Sequence, residues 1–496
     1  MRILYLDCDT LRPDHLHCYG YHRETSPNID LIASEGVRFT NYYASDAPCL
    51  PSRSALMNGR FGIHTGIVNH GGTAADLRLE GASRGFCNAQ DRAPLTQRLQ
   101  MAGFHTVSVS PYAERHSAWW FHNGFAEFFN PGKRGMERAE EVAPWALDWL
   151  ERKGKTDNWF LHVNFWDPHT PYRSPSTFGN PFESVPPPAW HTETVRKENW
   201  AKIGAHSARC PRGYPWDIEP QRAVYPDIPD EIASQDDYKR WIDGYDTGIR
   251  YMDQHIGQIL ECLERLDVLK DTVIIVSADH GENQGELNIY GDHMTCDYIT
   301  ARVPLIIRWP GVTKPNTACE SLLYNLDLAP TLMELVGGEP SPAWDGASFA
   351  GAVRGESFAG REHLVLSQCA WSCQRAVRWN DWLLLRTYRD ALNLMPGILL
   401  FNVEEDPHEQ HDLGEKRQDL VNEGLARLDA WHTDMMRDAD SAEDPLWRVM
   451  REGGPFHIRG CLERFCAHLR ETDQAPLADA LEIRHRGPGT WSGRNA

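Results

Sequence analysis

The sequence of 496 residues lacks both a long apolar segment and an excess of basic residues. The apolar run at residues 3–6 is too short for a signal-peptide core or a membrane span, so we expect a cytoplasmic protein that does not enter a membrane. Fifty Lys and Arg against 70 Asp and Glu give a net charge of −20. Because nucleic acids and anionic membranes are bound by basic patches, we expect neither as a partner.

The sequence also lacks repeats, low-complexity segments and a regular spacing of its 12 cysteines. We therefore expect reduced thiols rather than a disulfide framework. Cys461 and Cys466 do not have the spacing of a zinc site, and we interpret them as packing residues. The length and the hydrophobic content of 41% allow a large core with an appended part.

Short apolar runs alternate with helical patterns over residues 1–365. Residues 2–6, 105–110, 159–165 and 272–277 predict buried strands, and the apolar spacing of residues 236–266 predicts a long helix. This alternation predicts an α/β catalytic domain with a mostly parallel sheet and helices on both faces. Within it, residues 173–230 lack clear periodicity, and we interpret them as a long excursion that covers the site.

The pattern changes after residue 365. Short alternating runs within residues 374–402, followed by a helix over 420–436, predict a small C-terminal antiparallel α+β subdomain over residues 366–440. Residues 441–496 form a C-terminal extension. We expect the extension either to cover the site or to reach a neighbouring subunit, in which case it would support a homo-oligomer.

Polar residues follow three of the predicted strands. Asp9, His169 and the pair Asp279-His280 all lie just past a strand end, and ligands of parallel sheets collect at the carboxyl ends of the strands. A single acid at a strand end is more often a helix cap or an ion-pair partner. Two carboxylates with one imidazole, however, suit a divalent cation such as Ca²⁺, Mg²⁺ or Mn²⁺.

A thiol lies between two prolines in the segment Cys49-Leu50-Pro51-Ser52-Arg53. Pro51 fits the first turn of a helix and Gly59 fits its end, so Cys49 is predicted to lie just before a helix N-terminus. The amides of a helix N-terminus favour an anion. Arg53 adds a fixed positive charge one turn further on.

This segment, with Gly59-Arg60 behind it, resembles the sulfatase signature of the alkaline phosphatase superfamily. The resemblance implies an alkaline phosphatase-like fold. It also implies that Cys49 is oxidised to formylglycine, the nucleophile, by a formylglycine-generating or equivalent maturation enzyme. Residues 9–20 and 279–282 are similar to the metal segments of that family. Their similarity implies Asp9, Cys49, Asp279 and His280 as ligands of a divalent metal, with Ca²⁺ expected first and Mn²⁺ or Mg²⁺ as alternatives.

Two positions near the implied metal depart from the common pattern. Thr10 stands where many sulfatases have a second acid, and Asp7 lies two residues before Asp9. Asp7 is inside the predicted strand end, so we expect it to support the site rather than to bind the ion.

Further segments extend the resemblance over residues 1–435. Asp167-Pro168-His169-Thr170-Pro171-Tyr172 resembles the histidine segment of the family, which implies that His169 contacts the sulfate or the leaving oxygen. His293 stands where many members have a catalytic lysine, and it is implied as a proton donor. Ala113-Glu114-Arg115-His116 resembles a segment that usually carries Lys and His, so His116 is a further catalytic candidate. Arg115 could replace the charge of the lysine.

The implied reaction is hydrolysis of a sulfate ester, of a carbohydrate or a small organic molecule, to an alcohol and inorganic sulfate. In it, Cys49-derived formylglycine attacks sulfur, and the metal, His169 and Arg53 hold the charge. His293 or His169 protonates the departing alcohol. One alternative is a phosphonate monoester or phosphodiester hydrolase, because Asp279-His280 in place of Asp-Asn is also the pattern of those enzymes. A second alternative is an inactive binding protein of the same fold, which predicts an unmodified Cys49.

Overall fold

The computed structural model describes residues 1–78, 93–213, 228–439 and 441–485. The strands of these residues are β1 (Arg2–Cys8), β2 (Val37–Phe39), β3 (Tyr42–Tyr43), β4 (Asp46–Ala47), β5 (His105–Val109), β6 (Glu127–Phe129), β7 (Trp159–Phe165), β8 (Thr272–Ser277), β9 (Asn283–Gln284), β10 (Tyr290–Asp292), β11 (Leu305–Arg308), β12 (Thr317–Cys319), β13 (Leu323–Tyr324), β14 (His363–Gln368), β15 (Cys373–Trp379), β16 (Trp382–Arg389) and β17 (Ile398–Asn402).

The α-helices are α1 (Pro27–Ser34), α2 (Cys49–Asn58), α3 (Gly62–Thr65), α4 (Leu95–Met101), α5 (Tyr112–Arg115), α6 (Ala139–Lys153), α7 (Glu193–Trp200), α8 (Gln235–Arg265), α9 (Tyr298–Ala301), α10 (Leu328–Leu335), α11 (Ala350–Val353), α12 (Gln418–Asp438), α13 (Pro445–Arg451), α14 (Leu462–Glu471) and α15 (Ala475–His485).

The larger sheet has eight strands in the spatial order β12-β2-β11-β8-β1-β7-β5-β6. All neighbours pair in parallel except β11, which runs antiparallel to both β8 and β2. Successive side chains of β1 point to opposite faces, yet Ile3, Leu4, Tyr5 and Leu6 are all buried. Both faces of the sheet are therefore covered, as parallel sheets require. The predicted α/β fold is confirmed.

Two groups of helices pack on this sheet. One contains α1, α6 and α8, and the other contains α2, α4 and α10. The 31-residue α8 buries Trp241, Tyr245, Ile249, Met252 and Ile256. These residues recur every three or four positions, which explains why the helix was predictable from its apolar stripe.

The second sheet has the order β17-β16-β15-β14-β4. Four of its strands are antiparallel neighbours, and α12 packs on β15 and β16, which confirms the small antiparallel subdomain. The fifth strand, β4, comes from the segment just before Cys49 and pairs in parallel with β14, Asp46 opposite Ser367 and Ala47 opposite Gln368. The C-terminal sheet is therefore joined directly to the segment that carries Cys49.

The C-terminal extension contacts both the catalytic domain and the small subdomain of its own chain. The amide of Phe456 donates to Asn69 Oδ1 (3.2 Å), and the amide of His457 donates to Ala370 O (3.1 Å). In the excursion, residues 214–227 lie outside the described residues, and Asn199 Nδ2 at the end of α7 donates to Gly285 O (2.8 Å). Among the described helices, none combines the length and the apolar character that crossing a bilayer requires.

Candidate active site

The sheet order brings the polar strand ends together. β1 lies between β7 and β8, so Asp9 after β1, His169 after β7 and Asp279 after β8 share one edge of the sheet. The amide of Asp9 donates to Phe165 O at the end of β7 (2.9 Å). This edge is where parallel sheets bind ligands.

The helix α2 places the thiol at the same edge. Cys49 is the first residue of α2 rather than the residue before it, and its side chain is buried. Pro51 lies in the first turn, and Gly59 ends the helix with φ of 61°. A positive φ favours glycine because it has no Cβ, so both predicted helix signals are confirmed.

Four of the predicted ligand residues converge. Asp9, Cys49, Asp279 and His280 each offer one ligand atom, and these atoms all lie within 4.8 Å of one another. The Sγ of Cys49 is 3.1 Å from His280 Nε2. His280 Nδ1 donates to the carbonyl of Gly281 (2.8 Å), so its proton is on Nδ1 and the lone pair of Nε2 faces the cluster.

The buried carboxylates of this cluster fit a divalent cation. Within the described part of the chain, Asp9 Oδ1 is buried without a hydrogen-bond partner. Burial raises the pKa of Asp9 and that of Asp279 to about 6, because each carboxylate lacks the solvation that its charge needs. A cation bound by these oxygens and by His280 Nε2 would satisfy both groups.

Arg53 occupies the centre of the carboxylates. Its Nε and Nη2 donate to Asp7 Oδ2 (2.7 Å) and Oδ1 (3.0 Å), and its Nη1 donates to Asp9 Oδ2 (3.0 Å) and Asp279 Oδ2 (2.5 Å). Burial acts to raise the pKa of Asp7, but the charge of Arg53 and a hydrogen bond from His162 lower it to about 2. Both oxygens of Asp7 thus accept hydrogen bonds from Arg53.

Thr10 lies beside the cluster in an unusual backbone conformation. Its φ is +55°, and its amide donates to Asp279 Oδ1 (3.2 Å). The Thr10 hydroxyl is buried and finds no hydrogen-bond partner among the described residues. Left-handed φ is strained for a β-branched residue, so the strand end is held in a form that turns the Thr10 amide toward Asp279.

His169 and His293 form a second group of possible ligand residues with Cys49. Each of the three offers a ligand atom within 4.8 Å of the others. The ring of His293 is 4.1 Å from that of His280 and 5.6 Å from that of His169, measured between centroids. Burial, reinforced by neighbouring positive groups, lowers the pKa of His169 and of His293 well below the ordinary value, so both rings are neutral at neutral pH.

His116 belongs to a second group of histidines at the entrance to Cys49. Its ring is 4.8 Å from that of His70, and His70 Nδ1 is 2.9 Å from His457 Nε2 in the C-terminal extension. His70 Nε2 accepts a long hydrogen bond from the amide of Leu50 at the start of α2 (3.5 Å). His457 also stacks on Trp371 at 4.5 Å. The extension therefore forms one wall of the site.

A cavity of about 650 Å³ opens onto Cys49. Four of the five predicted catalytic residues line it, namely Cys49, His116, His169 and His293. The fifth, Arg53, is buried and does not line the cavity. The Cζ of Arg115 lies over the Trp166 ring, 6.0 Å from its centroid. Among the lining residues are Cys49, His70, Arg115, His116, Trp166, His169, Asp292, His293, Trp371, Phe456 and His457.

Asp292 lines the cavity and was missed by the sequence analysis. Its Oδ1 accepts from the amide of His293 (2.6 Å), and its Oδ2 is 3.1 Å from His206 Nε2. Burial raises the pKa of Asp292 to about 8, so the carboxyl keeps its proton at neutral pH. The only signal in the sequence was its position next to His293, because its burial depends on distant residues of the excursion.

The sequence of the chain matches two family models. The model of the sulfatase family matches residues 2–338, and the model of the N-sulphoglucosamine sulphohydrolase C-terminal region matches residues 285–430. The chain is 22% identical to the N-acetylglucosamine-6-O-sulfatase of Bacteroides thetaiotaomicron, over 83% of this chain and 82% of that protein. It is 25% identical to the choline-sulfatase of Rhizobium meliloti, over 87% and 88%.

A solved structure supports the fold. The phosphonate monoester hydrolase of Silicibacter pomeroyi superposes with a TM-score of 0.66 at 20% identity, covering 88% of this chain and 96% of that one. Such a likeness shows that the two chains share a fold. The family model covers well over half of the chain, in the region that contains the Cys49 segment and all the strand ends of the site. The chain is a member of the sulfatase family of sulfuric ester hydrolases.

Proposed function

We propose that this protein hydrolyses the sulfate ester of a carbohydrate or a small organic molecule to an alcohol and inorganic sulfate. The reaction would use formylglycine made from Cys49 and a divalent cation, for which Ca²⁺ is the first candidate. The observation that carries the proposal is the convergence of Asp9, Cys49, Asp279 and His280 within 4.8 Å, with Cys49 also lining the cavity. The precursor of the nucleophile therefore lies next to the residues that would bind the cation.

The surroundings of Cys49 favour a modified residue over a thiol nucleophile. Burial, with the charges of Asp9 and Asp279, raises the pKa of Cys49 well above the ordinary value, so the thiol stays protonated and weakly nucleophilic. Oxidation to a hydrated aldehyde would supply a nucleophilic oxygen and a second hydroxyl that allows sulfate to be released. The maturation enzyme that carries out this oxidation is a partner of the proposal.

The side chains around position 49 have distinct tasks. A cation bound by Asp9, Asp279 and His280 would supply positive charge against the oxygens of the sulfate group. Asp7 holds Arg53 in place, and Arg53 holds the two carboxylates at 3.0 and 2.5 Å. The neutral ring of His293 presents an N–H group to the leaving oxygen. The single N–H of neutral His169 is donated to the carbonyl of Thr170, so its Nε2 faces the site as a lone pair.

The cavity is large enough for a small organic molecule or for one or two sugar rings. Its volume is about 650 Å³, and Trp166, Trp371 and Phe456 form apolar walls. Aromatic rings of this kind stack on sugars and on other apolar faces. The relatives are named for N-acetylglucosamine 6-O-sulfate and choline sulfate substrates, and both classes fit this volume.

The test is sulfate release from a panel of sulfated sugars and small organic sulfates. We expect turnover by the matured protein, none by Cys49→Ala, and turnover by Cys296→Ala, a buried cysteine outside the cavity. Mass spectrometry of the peptide that contains residues 46–53 should show loss of sulfur from Cys49. Retention of the thiol in protein from its native host, with no turnover of the panel, would instead support the inactive binding protein.

A phosphonate monoester or phosphodiester hydrolase is the second candidate. It is favoured by the His280 ligand position and by the fold shared with the phosphonate monoester hydrolase. Rates measured on an aryl sulfate and on an aryl phosphonate with the same leaving group distinguish the two. A clear preference for the phosphonate would replace the first candidate with the second.

A further inference from the structure

Cys49 belongs to two donor sets that differ in chemistry. One set contains the oxygens of Asp9 and Asp279 and the imidazole of His280, whose Nε2 is 3.1 Å from Cys49 Sγ. The other set contains only imidazoles besides the thiol, since His169 and His293 each place a ligand atom within 4.8 Å of Cys49 Sγ and of each other. Carboxylates suit hard cations, whereas a thiolate with imidazoles suits Zn²⁺ and similar metals.

His169 is oriented as metal-binding histidines are. Its Nδ1 donates to the carbonyl of Thr170 (2.5 Å), so the lone pair is on Nε2. Its ring stacks on Trp166 at 5.9 Å, which further limits rotation. The imidazole is thus prepared as a ligand by its own backbone.

His293 supplies an independent indication. The residue is only 4% exposed, and its Nδ1, 3.8 Å from Asp292 Oδ1, makes no hydrogen bond within the described ranges of the chain. Most buried polar atoms are hydrogen-bonded, so an unpartnered nitrogen in a buried cluster requires an explanation. The rings of His280 and His169 pack on that of His293 and fix its position.

We propose that the chain, while residue 49 is still a cysteine, binds one Zn²⁺ through Cys49 Sγ, His169 and His293, with the fourth position open to the cavity. On binding, the Sγ–H bond breaks, the sulfur pair forms the Zn–S bond and the proton leaves to solvent, with no change of oxidation state. Conversion of Cys49 to formylglycine removes the sulfur and with it this site. The proposal concerns the unmodified protein, so it does not depend on sulfate ester hydrolysis.

The experiment uses the full chain with Cys49 shown to be a thiol by mass spectrometry and with metals removed. Co²⁺ serves as the spectroscopic probe, since a thiolate bound to Co²⁺ gives a charge-transfer absorption. We expect one equivalent of Co²⁺, a charge-transfer band, and loss of that band when Zn²⁺ but not Ca²⁺ is added at the same concentration. Absence of the band from the unmodified chain would overturn the proposal.

Variants separate the two donor sets. Cys49→Ser should lose the band, and His293→Gln and His169→Gln should each weaken Zn²⁺ binding by about tenfold or more. His116→Gln, the same change in the same cavity outside the cluster, should leave binding intact. A band that survives in His293→Gln and His169→Gln but is lost in Asp9→Asn would assign the metal to the carboxylate side and refute the proposal. Circular dichroism of each variant confirms that it is folded.

Discussion

Arg53 and Asp7 form a buried bidentate ion pair, with Nε to Oδ2 at 2.7 Å and Nη2 to Oδ1 at 3.0 Å. The pair uses both oxygens of Asp7 and leaves Nη1 of Arg53 for Asp9 and Asp279. Asp7 therefore acts through Arg53 on the carboxylates of the site and is not itself one of the converging ligands.

Replacement of Asp7 should reduce activity without removing the site. For Asp7→Asn we expect kcat to fall by about 10–100-fold, as for other residues that orient the groups of a metal site. We also expect the free energy of unfolding to fall by about 3 kcal/mol, because Arg53 loses a buried partner. The control is Asp157→Asn, whose exposed carboxylate pairs with Arg2 and should contribute less than about 1 kcal/mol. Equal effects of the two changes would contradict this role.

The stability gained from a cation should depend on pH. Asp9 and Asp279 have pKa values of about 6 in the ion-free fold and values near 4 when unfolded. The folded state therefore holds more protons between pH 4 and 6, so these two groups lower the stability as pH rises through that range, and the full loss is present above pH 6. Ca²⁺ should then raise Tm more at pH 7 than at pH 5, where protons compete with it. An equal shift at both values would contradict the assignment.

Thr10→Asp should strengthen cation binding and lower the stability of the ion-free protein. The change adds a carboxylate beside Asp9 and Asp279, and the affinity of Ca²⁺ sites rises with the number of charged ligands. Without the cation, the added carboxylate repels the buried carboxylates of Asp9 and Asp279. Calorimetric titration of Ca²⁺ and thermal unfolding in a chelator measure the two effects. Thr10→Ala, which adds no charge, should not strengthen binding.

Asp292→Asn should separate substrates by their leaving groups. The buried carboxyl, beside His293 at the cavity wall, holds a proton at neutral pH because its pKa is about 8. If that proton reaches the departing oxygen, the variant should hydrolyse an alkyl sulfate about 100-fold more slowly but an aryl sulfate, whose leaving group needs no proton, at a similar rate. In the unchanged protein the alkyl sulfate rate should fall as pH rises through about 8. Equal losses on both substrates would indicate a structural role.

His457→Ala should raise KM by about tenfold, equivalent to about 1.4 kcal/mol of binding. The change removes a stacked ring from the cavity wall and the partner that orients His70. His468→Ala, a change of the same type in α14 of the extension and away from the cavity, should leave KM unaltered. A loss of Tm in His457→Ala with an unchanged KM would show that the extension only stabilises the fold.

The predictable parts of this protein are those whose causes are local. β1 and β8 each contain an unbroken apolar run. Asp9, Asp279 and His280 follow these strands, so both the sheet and the ligand candidates could be predicted. β4 has two residues and no periodicity, and it exists only because β14 pairs with it. The wall formed by His457 and the raised pKa of Asp292 likewise depend on segments far apart in the sequence. The alternation of apolar residues within one segment carries no information about such pairings.

The pairing of β4 with β14 has a consequence for the order of events during synthesis. The chain grows from its N-terminus, so Asp46 and Ala47 have no strand partner until Ser367 and Gln368 have been made. In the completed protein Cys49 is only 2% exposed. The growing chain, in the interval before β14 emerges, is therefore the form in which residue 49 is open to the proposed modification.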